Sequence, residues 1–358
     1  MNYLPQGTKE DERNVPEAMA NTLLAERTST CGLMDLGLLP RRKDCGAPTD
    51  VIASPSMKLL RLLILSSLFV LCGKSVGAEK VVLSPPTGVE ETAPKQLANA
   101  PLAVQGTNVT EARTFTEAGT GEVMPYRLFK VGKPEAGKKY PLVFLLHHAT
   151  RGGDDNLRQI NNDMGVGIFC LPARQAKNPC YVLAPQGGGG GKPEAWSEVK
   201  WTDLSPQQPW PEKPNRNMRL ALSVLDAVVD ELPVDTTRSY VSGASMGSYG
   251  AHDAITRQPN YFAGAVTICG GYTPTGAPHL LDTPIWTFHG DADETISVEQ
   301  SRNLFNAVEG AKGQRMIYWE YRGVKHSFAH DLAYTNPDVL EWLFQQKRRA
   351  EPAAVPAK

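Results

Sequence analysis

The pentapeptide Gly243-Ala244-Ser245-Met246-Gly247 fits the pattern G-x-S-x-G. That pattern places a serine on a sharp strand-to-helix turn, where flanking side chains must be small, and here both flanking residues are glycine. A strand candidate at 240–242 precedes the serine and a helix candidate at 249–257 follows it. The N-terminus of that helix puts partial positive charge where an oxyanion would develop. A serine hydroxyl is a poor nucleophile near neutral pH and needs a base, which in turn needs an orienting carboxylate.

Residues of both types follow in the order serine, acid, histidine. His289-Gly290-Asp291-Ala292-Asp293 comes directly after the apolar run 284–288, at the point where a strand end would deliver it. Asp293 is the preferred acid because the loop must reach beyond His289-Gly290, and Asp291 is expected to shape the turn. His326 is the preferred base, reached from the strand candidate 316–319 through a short turn. His330, four residues on, is expected at the start of a helix in a surface or capping role. His252 and His279 are expected to be structural or exposed. An oxyanion hole needs two backbone N–H groups. The first expected is that of Met246; the second is that of Ala149, with His148 as the alternative, from the loop His147-His148-Ala149-Thr150-Arg151-Gly152-Gly153.

The elements that must position these residues alternate in type. Short apolar runs at 141–146, 181–184, 238–242, 263–268, 284–288 and 316–319 read as strands, the continuous ones as strands buried on both faces. Between them Met218, Leu222, Leu225, Val229 and Leu232 fall at spacings of three and four, as on one helical face, and 298–308 and 339–346 read the same way. This alternation predicts an α/β fold: a mostly parallel central sheet with helices on both faces, in one domain over 112–350. There is no internal repeat.

Composition narrows the classes. The chain of 358 residues is 41% apolar and 21% charged, with a formal net charge of −1 and no dense Lys/Arg block. A nucleic-acid partner, which needs a basic face, is therefore not expected. The six cysteines form no CxxC and no pair with zinc-ligand spacing, and neither metal nor cofactor is expected. Cys269, in a strand-like run, reads as a buried small hydrophobe. Cys170 and Cys180 are near enough in sequence to bridge in an oxidising compartment, and the sequence leaves that open.

Residues 57–78, MKLLRLLILSSLFVLCGKSVGA, have the three parts of a secretory signal: a basic start, an apolar run and small residues before a cut preceding Glu79. The apolar run is shorter than the roughly 20 residues a membrane span requires, so export without a stable span is expected, with a membrane anchor as the second reading. Residues 1–56 show no sustained period, and the expected translation start is Met57. Residues 79–111 read as a flexible linker and 351–358 as a disordered tail.

Taken in order, Tyr126-Arg127-Leu128, YPLVFLLHHATRGGDDN (140–156), VLAPQ (182–186), YVSGASMGSYG (240–250), FAGAVTICGG (262–271), PIWTFHGDAD (284–293) and Gly323 to His326 with Asn336-Pro337 and Trp342-Leu343 are shared with a known family. The chain resembles single-domain α/β-hydrolases of the carboxylesterase/phospholipase-like group, akin to polyhydroxybutyrate-depolymerase and feruloyl-esterase-type enzymes. The resemblance implies the α/β-hydrolase fold and cofactor-free hydrolysis of a small-molecule or polysaccharide-linked ester by Ser245, Asp293 and His326. Two positions depart from it: His148 and Lys325 stand where that family usually has glycine. A 186–214 insertion with five glycines in a row and three tryptophans reads either as a lid or aromatic platform, or as a loop pinned to the core by its tryptophans. A serine peptidase of the same fold and a non-catalytic binding protein on this scaffold are the alternative readings. The sequence is silent on oligomeric state.

Overall fold

The computed structural model describes residues 79–83, 109–160, 164–188 and 195–348. The expected N-terminal extension, signal segment and C-terminal tail lie outside the described residues. The described residues form nine strands: β1 (Glu79–Leu83), β2 (Glu111–Thr116), β3 (Val123–Phe129), β4 (Tyr140–Leu146), β5 (Tyr181–Pro185), β6 (Val234–Ala244), β7 (Gly264–Ile268), β8 (Ile285–Gly290) and β9 (Met316–Tyr321). The described α-helices are α1 (Met164–Cys170), α2 (Pro172–Lys177), α3 (Arg216–Glu231), α4 (Met246–Arg257), α5 (Glu299–Gly310), α6 (His326–Thr335) and α7 (Pro337–Gln345).

The apolar runs form the middle of one sheet, ordered β1-β9-β8-β7-β6-β4-β5-β3-β2. Strands β4 to β9 and β1 pair in parallel, while β3 pairs antiparallel with both β5 and β2. All seven residues of β4 are buried, and the strand's period of two divides them between two cores. Leu142, Phe144 and Leu146 enter one core with Met218 and Leu225 of α3 and Tyr249 of α4; Val143 and Leu145 enter the other with Phe169 of α1, Phe328 of α6 and Leu340 of α7. Burial on both faces is why these strands read as unbroken apolar runs rather than alternating ones.

Local signals set the helix starts. Asn215 caps α3 by accepting from the Met218 amide at 2.9 Å. Asn336 caps α7 by accepting from the Asp338 amide at 3.0 Å, with Pro337 in the first turn.

The expectation of a linker running unbroken from 79 to 111 needs correction. Glu79–Leu83 forms β1, an edge strand parallel to β9, with Lys80 paired to Glu320 at 3.9 Å and its ammonium over the Tyr318 ring. A five-residue strand whose partner lies more than 230 positions away leaves little trace in a local window.

The insertion is partly described, and there its tryptophans behave differently from one another. Trp196 is fully buried, and its indole N–H donates to the His147 carbonyl at 2.9 Å. Trp210 stacks on His279 at 4.2 Å, whereas Trp201 is 44% exposed. The Arg257 side chain holds the same stretch by donating to the carbonyls of Pro211, Glu212 and Lys213. Trp196 and Trp210 thus pin the loop to the core.

Candidate active site

Ser245 occupies the turn between β6 and α4 with φ +55° and ψ −122°, a region disfavoured for any residue with a Cβ. Sterics on both sides dictate the two glycines. A Cβ on Gly243 would lie 2.2 Å from the Gly247 carbonyl oxygen, and one on Gly247 would lie 1.9 Å from the Leu146 oxygen. The Ser245 amide is anchored to the Ile268 carbonyl at the end of β7, 2.8 Å away. Ser245 itself is largely buried and lines a cavity of about 480 Å³.

The adjacency of strands delivers the other groups. Because β4 lies beside β6, the loop after β4 runs past Ser245, and His147, His148, Ala149, Thr150 and Arg151 line the same cavity. Asp293 follows β8, and His326 begins α6 after β9, so each group arrives from the carboxyl end of a parallel strand. His326 Nδ1 donates to Asp293 Oδ2 at 2.6 Å, which leaves Nε2 as the nitrogen available on the cavity side, where His326 joins Ser245 in the lining. Asp293 Oδ1 accepts from the backbone amides of Thr295 at 2.8 Å and Ile296 at 2.9 Å, and Oδ2 also faces His289 Nε2 at 3.0 Å. Burial alone would raise the Asp293 carboxyl. The hydrogen bonds from His289, His326 and the Ile296 amide, with the charge of His326, outweigh it and hold the group well below the usual carboxylate range.

Asp291 does what the sequence expects of it: its Oδ1 accepts the Gly323 amide at 2.6 Å and fixes the turn before His326. Met246 opens α4 and Ala149 opens a short 3-10 turn (Ala149–Arg151), so neither amide has an acceptor within its own helix. The departures at His148 and Lys325 carry no backbone cost. Their φ/ψ pairs are −78°/169° and −84°/168°, ordinary extended values that do not require glycine.

His330 is the correction here. It is not a surface or capping residue but lines the cavity, with its ring 4.9 Å from that of His326 and its Nε2 buried. The i, i+4 spacing on α6 was the signal that could have shown it, since it puts both rings on one helical face. His252 is fully buried with Nδ1 at 3.2 Å from the Gly271 carbonyl, and His279 is exposed beside Trp210.

Four side chains hold these elements in ways the sequence did not signal. His147 donates from Nδ1 to the His148 carbonyl at 2.9 Å and accepts the Gly187 amide on Nε2 at 2.9 Å, tying the loop after β4 to the segment after β5. His289 braces Asp293, and Ser301 braces His289 Nδ1 at 2.8 Å. Cys269, at φ +48° just past β7, directs its thiol to the His326 carbonyl at 3.5 Å. Cys170 and Cys180 are buried free thiols.

Comparison with solved structures places this architecture. A crystal structure of a thermostable esterase matches with 34% identity and a TM-score of 0.60, covering 67% of this chain and 64% of that one. The chain has the α/β-hydrolase fold. The acylaminoacyl peptidase of Pyrococcus horikoshii matches at 12% identity with a TM-score of 0.50, over 70% of this chain and 44% of that one, a likeness of fold alone. By sequence, the protein named Putative esterase NocK of Nocardia uniformis subsp. tsuyamanensis is 26% identical over 229 residues, 61% of this chain and 59% of that protein. The chain thus spans less than two thirds of the length of both esterase-named relatives. No family model matches it.

Proposed function

We propose that this chain is a serine hydrolase that cleaves carboxylic esters, acting on short-acyl, phenolic or carbohydrate esters outside the cytoplasm. The observation that carries the reading is the 2.6 Å bond from His326 Nδ1 to buried Asp293, in a cavity that also holds Ser245 on its strained turn. The esterase names of the two relatives support it.

In this reading His326 Nε2 takes the Ser245 proton as the hydroxyl oxygen attacks the ester carbonyl carbon. Asp293 fixes the imidazole tautomer and stabilises the imidazolium. The amides of Met246 and Ala149 donate to the tetrahedral oxyanion, each contributing about 3 kcal/mol to lowering the barrier. Collapse of the intermediate breaks the bond to the leaving oxygen, which takes the proton back from His326. Water then repeats the sequence on the acyl-enzyme, releasing the acid and restoring Ser245. The signal-like residues 57–78 support export, with a mature N-terminus at Glu79 that mass spectrometry of the native protein would read.

Hydrolysis of p-nitrophenyl esters of increasing acyl length, by the wild type and Ser245→Ala, tests the activity. Turnover of short chains that disappears in the variant is expected; turnover that persists in Ser245→Ala, or none on any chain length, contradicts the proposal.

A further inference from the structure

Cys269, His326 and His330 gather three metal-binding atoms. The Cys269 Sγ and one ring nitrogen of each histidine all lie within 4.8 Å of one another. Three atoms so spaced share a centre no more than about 2.8 Å from each, and zinc takes thiolate sulfur at about 2.3 Å and imidazole nitrogen at about 2.0–2.1 Å. Side-chain rotations that close each donor by less than about 1 Å complete a three-ligand set.

The fold accounts for the grouping. His326 and His330 lie four residues apart on one face of α6, with rings 4.9 Å apart. Cys269 sits just past β7 at φ +48°, and its thiol reaches the carbonyl of His326, 57 positions away, at 3.5 Å. That separation is why no metal-ligand spacing shows in the sequence. Both histidines line the Ser245 cavity, so an ion arriving through it meets them first. Behind them Cys269 is fully buried, and His330 Nε2 is buried with no hydrogen-bond partner among the described residues. A bare ion at bonding distance needs no water-sized opening, and a nitrogen with no hydrogen bond to give up loses none on binding it.

The donor set selects the ion. Sulfur and imidazole suit zinc and its neighbours, whereas magnesium and calcium need oxygen ligands. Charge balances as well: Cys269 releases its proton to solvent and binds as thiolate, and Asp293 Oδ2, 2.6 Å from His326 Nδ1, supplies the second negative charge. In the mechanism above, His326 Nε2 must accept the serine proton and Nδ1 must hold Asp293, so an ion on either nitrogen stops turnover. We propose that Cys269, His326 and His330 form an inhibitory site for a divalent transition metal of the zinc type. The inference rests on the serine-hydrolase reading above.

The test titrates the metal-free full-length chain with Co2+, whose absorption reports its ligands, and measures ester hydrolysis against Zn2+ concentration. The spectrum of the wild type minus that of Cys269→Ser should show a thiolate-to-cobalt band in the near ultraviolet, and Ser245→Ala should keep that band. His330→Phe, which keeps a ring in place, supplies the same comparison should Cys269→Ser not fold. Zn2+ should inhibit hydrolysis, and a chelator should restore it. Relative to each variant's own metal-free rate, Cys269→Ser and His330→Phe should raise the half-inhibiting concentration at least about 10-fold. A folded wild type without the band overturns the proposal, as does a band without inhibition, or inhibition unchanged in both variants. If esters are hydrolysed and no band forms, the site alone fails; if none is hydrolysed, the reading on which it rests fails.

Discussion

His289 Nε2 stands 3.0 Å from Asp293 Oδ2, the same oxygen that receives the bond from His326 Nδ1. One buried carboxylate oxygen thus joins two imidazoles, and the second imidazole is held from behind by Ser301. Asp293→Asn should lower kcat by about 10⁴-fold with little change in fold, because an amide in place of the carboxylate favours the wrong tautomer of His326. His289→Leu should lower kcat by about 10- to 100-fold by loosening Asp293, and His289→Gln, which can still donate, should restore part of that loss. Steady-state kinetics on one ester, with circular dichroism to confirm folding, would check both.

In the proposed reading, the strained turn at Ser245 sets function against stability. Ser245→Gly should raise unfolding free energy by about 1 kcal/mol, since glycine accepts φ +55° without a Cβ penalty, while eliminating turnover. Gly247→Ala should do the opposite to stability. Its Cβ would meet the Leu146 carbonyl oxygen at 1.9 Å, and a loss of more than about 3 kcal/mol or failure to fold is expected. Urea denaturation of the two variants beside the wild type reads both signs.

Buried neutral histidines make stability depend on mildly acidic pH. Burial pushes both His147 and His252 down from 6.5 to about 4, against the raising effect of their backbone hydrogen bonds. Below pH 6.5 the unfolded chain takes up protons that the folded one refuses, so their contribution is complete above 6.5 and is lost as pH falls towards 4. At 1.36 kcal/mol per pH unit, each histidine accounts for on the order of 3 kcal/mol. Asp331, raised to about 6 by burial, opposes this with the reverse sign. Urea midpoints should fall between pH 7 and pH 5, and the fall should be steeper in Asp331→Asn. A midpoint independent of pH over that window would refute the assignment.

Trp196 ties the insertion to the loop after β4 through its bond to the His147 carbonyl. Trp196→Ala should cost about 3–5 kcal/mol in stability and reduce kcat, because the loop carrying Ala149 loses its backing. Thermal melts and esterase kinetics measure the two effects.

What the sequence discloses and what it hides follow physical lines. Strands β4, β5, β7 and β8 were legible because burial on both faces requires unbroken apolar runs, and Ser245, Asp293 and His326 could be named as candidates because strand ends would deliver them in a fixed order. The pair β2 and β3 was not, since β2 (EARTFT) has no buried residue and its backbone pairs with β3 alone among the described strands. The short helices α1 and α2 offer too few turns for a period to emerge. His147 acts through a contact with Gly187, forty positions away, that no local spacing encodes.

The central claim, that Ser245 is the nucleophile, is tested most directly by labelling the protein with a fluorophosphonate and locating the adduct by peptide mass spectrometry. The account predicts a single adduct on Ser245, with loss of ester hydrolysis in proportion to labelling. An adduct on another residue, or no labelling of a folded protein, would contradict it.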